Sequence, residues 1–450
     1  MKRRNISSLH LPHNKNTAEC VPVRIDTPNE VLLPMDMHSG HVAEPIVNVG
    51  DYVRVGQLIA KEEGRFSSPV HATVSGTVVE IAPILRASGK EVLAIRIESD
   101  GKMEKDPNLK APEIHNCDEF LQALRDSGIV GLGGAAFPTW AKLNEMRNEE
   151  YTVDTVLVNA AECEPYITSD HRMMLDHPDL IVKGVDYLRT HMYDYLKDAT
   201  FKICIEKNKP DAIETLKAAF ADKEYVEIVE LDAIYPQGAK QVMLYNATGR
   251  VSIAGKRFPY FHAIIINVSS LAKCAEYLST GMPLVERIVT VDGPAIEKPT
   301  NLIAPIGTRI SELVKVTGLK GKPGKVVVGG PMNGNAVCSI DDPIVKVSNS
   351  ILVFDELTSR LPEQSACIHC GRCVEVCPIN INVVAVERAM LIENEEERAE
   401  KLIETGVRQC VDCGCCSYVC PAHRHLLAIN QDAKWWLKQY LASKKEGGNK

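Results

Sequence analysis

Short segments of alternating apolar and polar residues run from about residue 30 to residue 98. Short segments with this two-residue period are separated by turns that contain Gly and Asp, a pattern typical of β-strands. The expected strands cover residues 46–49, 57–60, 77–81 and 91–97. We therefore predict a β-rich domain over residues 1–110, without a long helix between residues 30 and 98.

A helical period replaces this alternation after about residue 115. Apolar residues such as Phe120, Leu121 and Leu124 share one helical face, and segments of this kind alternate with strands at 155–159 and 201–206. Alternating strands and helices predict a mostly parallel sheet, whose ligands bind in the loops beyond the carboxyl ends of the strands. We predict an α/β domain over residues 111–283.

The remaining chain divides into a second β-rich module, a helical domain and a tail. Short strands and Gly-Pro turns predict the module over residues 284–360, and helices between two cysteine groups predict the domain over residues 361–430. Residues 431–450 form a charged, amphipathic tail with Trp435 and Trp436. This tail either binds a membrane surface or partner, or packs on the helical domain.

Charge and hydropathy exclude two classes of function. The 51 basic and 59 acidic residues give a net charge of −8, which disfavours nucleic-acid binding. The longest apolar runs have the length of strands, so we expect no transmembrane helix. Lys2, Arg3 and Arg4 are not followed by the apolar region of a secretion signal, and we expect a cytosolic protein.

Cysteine spacing gives the strongest chemical signal. Nine of the 15 cysteines lie between Cys367 and Cys420, and in a cytosolic chain such clustering points to metal rather than disulfides. Two segments share the spacing C-x2-C-x2-C-x3-C-P of bacterial two-cluster ferredoxins. The alternative, structural zinc, normally uses paired C-x2-C groups without the third cysteine and the proline.

In this motif the fourth cysteine of each segment ligates the other cluster. The predicted ligands of one [4Fe-4S] cluster are Cys367, Cys370, Cys373 and Cys420, and those of the second cluster are Cys410, Cys413, Cys416 and Cys377. Cys415 is left over as a structural residue. Because such clusters carry one electron at a time, the domain requires a donor and an acceptor.

A glycine-dense segment runs from Gly128 to Lys142. Glycines let backbone N–H groups approach an anion, and a lysine in the following helix balances its charge, so the segment suits a phosphate. Its spacing differs from both the Rossmann fingerprint and the Walker loop. A glycine-rich packing turn is the alternative for this motif taken alone.

The same segment resembles the FMN loop of the NADH-oxidising flavoprotein subunits of respiratory complex I. Three later segments resemble further parts of that family, in the same order. The four matching segments are Gly131-x-Gly133-Gly134-Ala135-x-Phe137-Pro138-x3-Lys142, Asn159-Ala160-Ala161-Glu162-Cys163-Glu164-Pro165, Tyr235-Pro236-Gln237-Gly238 and Asn267-Val268.

The resemblance implies a set of cofactor-binding residues. The flavin phosphate would be held by Gly131, Gly133, Gly134, Lys142 and Asn267, with Asn159 orienting the flavin and Gly238 on the later glycine loop. Glu162 and Glu164 would contact the nucleotide, and their charge would favour NAD over NADP. No catalytic acid or base is expected, because hydride passes directly between nicotinamide and flavin.

Across residues 5–430 the chain resembles the C-subunit family of Rnf-type ferredoxin:NAD oxidoreductase complexes. The implied fold is multidomain α/β, with an N-terminal barrel-sandwich hybrid (hammerhead), a Rossmann-like flavin domain, a β-grasp module and a C-terminal helical dicluster ferredoxin domain. The implied cofactors are FMN and two [4Fe-4S] clusters, with NAD(H) as substrate. The resemblance also implies a peripheral oxidoreductase subunit at the cytoplasmic face of the membrane, in a complex that translocates ions. Its implied partners are the other subunits of this membrane-embedded complex, NAD(H) and, indirectly, ferredoxin.

Two other hypotheses stay open. A non-catalytic electron-relay or docking subunit is favoured by Ala161, which replaces an aspartate of the complex I family, and by Ala239 and Lys240, which replace two glutamates. A biotinyl or lipoyl carrier is suggested by the hammerhead-like segments 49–59 and 72–78. The expected acceptor turn, Gly64-Arg65-Phe66, contains no lysine, which weakens the carrier hypothesis.

Overall fold

The computed structural model describes residues 7–64, 66–86, 89–148 and 150–447, with side chains up to residue 444. The chain forms two compact units. The larger unit comprises His13–Leu231 and Phe258–Ser359, and the smaller comprises Asp232–Arg257 with the described parts of Met1–Pro12 and Arg360–Lys450.

The described residues of the N-terminal region of the larger unit form strands and turns, without a helix, up to residue 99. Its strands are β1 (Val23–Arg24), β2 (Glu30–Pro34), β3 (Glu44–Pro45), β4 (Tyr52–Val53), β5 (Leu58–Lys61), β6 (Val70–His71), β7 (Gly76–Leu85) and β8 (Glu91–Ser99). Strands β2 to β8 form two antiparallel sheets, in the orders β2-β8-β7-β4 and β3-β5-β6. These two sheets are the barrel-sandwich hybrid.

One predicted strand in this domain is wrong. Residues 46–49 are irregular, and the pairing lies just before them at Glu44–Pro45. The Ile46 N–H still donates to the Ile59 carbonyl at 2.9 Å, but the chain then turns at Gly50, whose φ is +97°. Ile46 and Val49 are exposed, so their apolar character did not reflect burial in a strand.

The α/β domain of the larger unit has a four-stranded parallel sheet in the order β11-β10-β9-β12. Its helices and strands, with α7 from the smaller unit, are α1 (Cys117–Asp126), α2 (Thr139–Asn144), β9 (Thr155–Ala160), α3 (Ser169–Asp176), α4 (Pro178–His191), α5 (Tyr193–Leu196), β10 (Thr200–Glu206), α6 (Pro210–Ala219), β11 (Val226–Leu231), α7 (Lys240–Thr248), β12 (Ala263–Asn267) and α8 (Val268–Thr280). The predicted parallel sheet is confirmed.

The β-grasp module completes the larger unit. Its elements are β13 (Glu286–Asp292), β14 (Thr300–Pro305), α9 (Ile310–Thr317), β15 (Pro323–Val328), β16 (Asn335–Ala336) and β17 (Ser350–Asp355). The sheet order is β1-β14-β13-β17-β15-β16. The edge strand β1 comes from the N-terminal region, 262 residues or more before its module in the sequence, and the period of the hydrophobic residues gave no indication of this pairing.

The smaller unit contains the cysteine motifs on short helices. Its C-terminal helices are α10 (Arg372–Glu375), α11 (Val383–Met390), α12 (Glu395–Glu404), α13 (Cys415–Tyr418) and α14 (Leu426–Gly447). The two motifs repeat the same backbone: Gly371 and Gly414 both have a left-handed conformation, at φ +80° and +74°, and each starts a one-turn helix. The predicted helical character of this domain is confirmed.

Residues 431–447 of the expected tail belong to one continuous helix, and residues 448–450 lie outside the described residues. Helix α14 begins at Leu426, so the boundary predicted after residue 430 falls inside it. Leu437 is fully buried in the core of the smaller unit, and the Trp436 ring lies 4.7 Å from the Arg398 guanidinium. Trp435 is 65% exposed. The helix therefore packs on the cysteine domain through one tryptophan and leaves the other in solvent.

Close packing of α4 on α8 supports the parallel sheet from one face. A Cβ atom at Gly184 of α4 would lie 2.6 Å from Cγ and 2.8 Å from the carbonyl oxygen of Leu271 on α8. Because real Cβ contacts are longer than this, only glycine fits at that position without moving a helix.

We predict that Gly184→Ala lowers the free energy of unfolding by about 1–3 kcal/mol, since overpacking outweighs the gain in helix propensity. Urea denaturation followed by circular dichroism measures the change. The matched control is Lys183→Ala on the exposed side of α4, with an expected change within about 0.5 kcal/mol. A Gly184→Ala protein as stable as the original would contradict the packing described here.

Candidate functional site

The glycine-rich segment forms a closed loop before α2. The Gly131 N–H donates to the Phe137 carbonyl at 2.8 Å, and the Ala136 N–H donates back to the Gly131 carbonyl at 3.3 Å. Gly134 has φ +105°, a conformation that a residue with Cβ adopts only under strain. The tip at Gly133 is exposed, so the loop presents its backbone to solvent.

The space beside this loop is kept open by glycine. A Cβ atom at Gly133 would lie 3.4 Å from Asn267 Nδ2, and one at Gly131 would lie 3.9 Å from Lys142 Nζ. Side chains at these positions would therefore fill the gap between the loop, the Asn267 amide and the Lys142 ammonium. These two pairs, together called the cradle, place an amide N–H and an ammonium group beside the backbone of the loop, a set of donors that suits an anion.

Helix α8 begins at this cradle. The Asn267 side chain caps the helix, because its Oδ1 accepts from the Ser270 N–H at 3.0 Å. Asn267 Nδ2 donates to Asp170 Oδ2 at 2.7 Å. The Leu132 N–H donates to Ser270 Oγ at 2.8 Å, which joins the glycine loop to the same helix end. The positive end of the helix dipole therefore lies beside the loop.

Asn159 lies next to Asn267 across the sheet. The two residues are register partners at the carboxyl ends of β9 and β12. Asn159 Oδ1 accepts from the Ala161 N–H at 3.2 Å, which starts the turn into the acidic loop. The structure thus brings Asn159 to the same sheet edge as Asn267.

The Glu162 carboxylate binds the start of helix α3. Its Oε1 accepts from the Asp170 N–H at 2.6 Å, and its Oε2 accepts from the His171 N–H at 3.2 Å. Burial raises the pKa of the Glu162 carboxyl to about 7, and the nearby Lys15 ammonium opposes this rise. Glu162 itself has φ +49°, so this contact holds a left-handed backbone residue in the loop.

Sequence reasoning missed two lysines that hold this acidic loop, the half-buried Lys15 and the buried Lys209. Lys15 Nζ donates to the carbonyls of Glu162, Glu164 and Ile167 at 2.8, 2.9 and 2.6 Å. Lys209 Nζ donates to the Ala161 carbonyl at 2.7 Å and to Glu206 Oε2 at 2.8 Å. Burial lowers the pKa of Lys15 to about 8. The sequence contained no signal for either residue, because both act on backbone atoms that are distant along the chain.

Glu164 contacts the β-grasp module. Its Oε2 accepts from the Met332 N–H at 3.1 Å, and a Cβ atom at Gly330 would lie 2.1 Å from the same oxygen. The Gly329-Gly330-Pro331-Met332 turn is therefore the partner of this carboxylate, and glycine at position 330 is required by the close approach.

Gly238 lies in the smaller unit, in the turn before α7. In this segment the Tyr235 N–H and carbonyl both pair with Leu9 at 2.8 Å. The buried Gln237 side chain accepts from Asn246 Nδ2 at 2.9 Å. The other predicted cofactor-binding residues belong to the larger unit.

The eight motif cysteines line two cavities in the smaller unit. One cavity is lined by Cys367, Cys370, Cys373 and Cys420, and the other by Cys377, Cys410, Cys413 and Cys416. Each fourth cysteine therefore lies with the three cysteines of the other motif. Among the described residues, no three or more His, Cys, Asp or Glu side chains lie close enough together to hold a single metal ion.

Three of the four cysteines are buried in the second cavity, against one of four in the first. Cys377, Cys413 and Cys416 are each less than 10% exposed, whereas Cys370 is exposed. Burial raises the pKa of Cys410 and Cys416 to about 12, so free thiolates would be unfavourable in this apolar cavity. Iron bound to the sulfurs would supply the compensating positive charge, and the four-cysteine donor set fits a [4Fe-4S] cluster.

Backbone and side-chain donors also point at the cysteine sulfurs of the second cavity. The Ile381 N–H donates to Cys377 Sγ at 3.2 Å, and Asn430 Nδ2 lies 3.8 Å from Cys410 Sγ. Cys415 is fully buried and contacts Cys413. Such hydrogen bonds to sulfur tune the reduction potential of a cluster.

Three family profiles match this chain. The RnfC barrel sandwich hybrid domain matches residues 6–102, the Nuo51 FMN-binding domain matches residues 124–276, and the 4Fe-4S dicluster domain matches residues 363–424. The FMN-binding match contains the glycine cradle, and the dicluster match contains both cysteine motifs.

Curated relatives align over most of the chain. The C subunit of the Na+-translocating ferredoxin:NAD+ oxidoreductase complex of Acetobacterium woodii is 37% identical over 83% of this chain and 84% of its own length. The C subunit of the proton-translocating complex of Clostridium ljungdahlii is 36% identical over 83% of this chain and 81% of its own. The C subunit of the ion-translocating oxidoreductase complex of Serratia proteamaculans is 36% identical over 83% of this chain and 53% of its own.

Among solved structures, an NAD+-reducing [NiFe]-hydrogenase in the H2-reduced state aligns with a TM-score of 0.49 and 18% identity. The alignment covers 76% of this chain and 68% of the other. This degree of similarity supports no conclusion about function.

The arrangement of the cavities predicts which cysteines act together. We expect Cys420→Ala to perturb the cluster of the first cavity and Cys377→Ala that of the second, whereas Cys415→Ala retains both. Iron and sulfide analysis, together with electron paramagnetic resonance after reduction, measures the losses against about eight irons per chain.

Double variants separate crossed from uncrossed ligation. Combining Cys420→Ala with Cys370→Ala should remove little more iron than either change alone, because both residues line one cavity. Combining Cys420→Ala with Cys413→Ala should remove both clusters. The reverse result would show that each motif holds its own cluster.

Proposed function

The chain belongs to the family of C subunits of ion-translocating ferredoxin:NAD+ oxidoreductase complexes, and we propose on this basis that it exchanges electrons between NAD(H) and the other subunits of such a complex. It is an electron-transfer component of an NAD(H)-linked oxidoreductase, with FMN and [4Fe-4S] clusters as cofactors. Ferredoxin is the indirect partner, through the complex.

One observation carries the proposal: a cradle for a flavin phosphate and two four-cysteine cavities occur in the same chain. NAD(H) exchanges a hydride, which carries two electrons, whereas iron–sulfur clusters exchange single electrons. Bound FMN supplies the chemistry that connects the two, because a flavin accepts a hydride and releases its electrons singly.

We propose that the residues of the cradle position the flavin. The backbone of Gly131, Gly133 and Gly134 would approach the phosphate, and Lys142 and Asn267 would supply a cation and an amide N–H beside it. The end of α8 adds the positive end of a helix dipole. Asn159, at the adjacent strand end, is proposed to orient the flavin ring.

Selection of NAD over NADP is assigned to the acidic loop. Glu164 and Glu162 are both near the sheet edge, and negative charge there disfavours a 2′-phosphate. Because the Glu162 carboxylate caps α3, we propose that it acts mainly by fixing the loop. Gly238, on the later glycine loop, stays a proposed cofactor-binding residue.

The proposed cluster ligands are the two sets of cysteines that line the cavities. The proposed domains are residues 1–110, 111–283, 284–360, 361–430 and 431–450. The boundary between the last two falls inside helix α14.

The protein is part of a membrane-associated complex. No helix of the described residues is long and apolar enough to cross a membrane.

We further propose that the protein is peripheral and lies on the cytoplasmic face, where NAD(H) is available. Protease digestion of inside-out vesicles should cleave it, whereas intact cells should protect it. Cleavage only from the outer side would contradict this location.

The competing relay hypothesis is favoured by Ala161, Ala239 and Lys240. The structure weakens the argument from Ala161, because its carbonyl is bound by Lys209 and its side chain is fully buried. The loop therefore keeps a defined conformation without a carboxylate at that position.

The phosphate cradle predicts how Lys142 contributes to cofactor choice. We expect Lys142→Met to weaken FMN binding by about tenfold, since a charge-assisted contact to the phosphate is lost. Binding of riboflavin, which has no phosphate, should hardly change. Titration by flavin fluorescence quenching measures both affinities, and Lys183→Met on the surface of α4 is the matched control. Equal loss of FMN and riboflavin affinity would contradict a phosphate role.

A further inference from the structure

The turn of the barrel-sandwich domain that would carry a cofactor in biotinyl or lipoyl proteins lies against the glycine loop. The Phe66 ring centroid is 5.5 Å from that of Phe137, in the loop. Arg65 of the same turn lies outside the described residues. Lys61, the lysine nearest to the turn, is exposed and pairs with Glu44 at 2.9 Å.

A second segment of the barrel-sandwich domain binds the tip of the glycine loop directly. The Ser39 N–H donates to the Ala136 carbonyl at 2.9 Å, and Ser39 Oγ donates to the Ala135 carbonyl at 2.7 Å. Two consecutive carbonyls of the loop therefore face the barrel-sandwich domain. These two hydrogen bonds hold the loop at Ala135 and Ala136, next to the exposed Gly133.

The two barrel segments form one rigid support. The His41 N–H donates to the Phe66 carbonyl at 2.8 Å, and a Cβ atom at Gly40 would lie 2.0 Å from that oxygen. Gly40 has φ +122°, so glycine is required there for both conformation and space. Nε2 of the buried His38 lies within hydrogen-bond distance of the His41 carbonyl, at 2.7 Å, and of Ser67 Oγ, at 3.1 Å.

The base of the glycine segment is held by the same domain. Ser68 Oγ donates to the Gly128 carbonyl at 3.1 Å. The fully buried Lys346 from the β-grasp module donates to Ser68 Oγ, to the Pro69 carbonyl and to the Gly128 carbonyl at 3.0, 2.7 and 2.8 Å. Both ends of the segment are therefore bound to the barrel-sandwich domain.

We propose that the barrel-sandwich domain is a structural wall of the flavin site, in which Ser39 and Phe66 are positioning residues that hold the glycine loop in its FMN-binding conformation. This inference rests on the proposed function, because it assumes that FMN binds at the loop. The turn that carries a cofactor in biotinyl or lipoyl proteins has no lysine in this chain. Instead of an attachment point, Phe66 contributes an aromatic ring and a backbone contact.

The inference predicts a specific loss of flavin affinity. We expect the double variant Ser39→Ala with Phe66→Leu to bind FMN about tenfold more weakly, since it loses one hydrogen bond and one ring contact. Binding is measured by fluorescence quenching of FMN on the full chain, at a temperature where circular dichroism shows the variant to be folded. Its iron content should equal that of the original protein.

Conservative variants separate positioning from general destabilisation. Ser39→Thr retains the hydroxyl and Phe66→Tyr retains the ring, so both should bind FMN within about twofold of the original chain. Lys61→Ala, in the same domain, should leave the FMN affinity unchanged. Its intact mass should differ from that of the original chain only by the Lys-to-Ala replacement. A carrier function instead predicts a mass addition that Lys61→Ala removes.

Gly133→Val distinguishes failure of this inference from failure of the proposed function. A side chain there would enter the cradle beside Asn267. If Gly133→Val abolishes FMN binding while the folded double variant binds as the original chain does, the wall inference is overturned. If Gly133→Val leaves FMN binding intact, the flavin site itself is misplaced, and the wall inference is overturned with it.

Discussion

The site depends on one polar network at the start of helix α8. Asn267 caps the helix through Ser270 and donates to Asp170 on α3, while Ser270 Oγ accepts from the Leu132 N–H of the glycine loop. A single helix end therefore fixes two other segments at the carboxyl edge of the sheet. Because these groups are buried, each broken contact would leave an unsatisfied polar atom, and the network favours one arrangement of all three segments.

Lysine ammonium groups extend this order to the neighbouring loops. Lys209 and Lys346 are buried and Lys15 is half-buried, and each of the three donates to at least one backbone carbonyl. An ammonium group can make three hydrogen bonds, which offsets part of the cost of removing it from water. The three lysines come from different regions of the chain. They explain how the acidic loop and the glycine segment keep defined conformations although neither is a helix or a strand.

Local patterns predicted much of the fold and the iron–sulfur cofactors, whereas FMN and NAD(H) were implied by the resemblance to a known family. The period of the apolar residues, together with the turn residues, placed the parallel strands near 155–159 and 201–206. Cysteine spacing paired each fourth cysteine with the other motif, and the linings of the two cavities have the same grouping. The pairing of β1 with β14 and the contacts of Lys15 were not predictable, because they join residues far apart in sequence. Glu162 shows the limit of motif reasoning: its type was informative, but its carboxylate binds α3.

We propose that this chain exchanges a hydride with NAD(H) and single electrons with its clusters. The most direct measurement is anaerobic stopped-flow absorbance of the chain reconstituted with FMN, iron and sulfide, mixed with NADH or NADPH. We expect NADH, and not NADPH, to bleach the flavin first and the clusters afterwards. If the clusters form but flavin neither binds nor responds to NADH, the claim is contradicted and the chain is an electron relay.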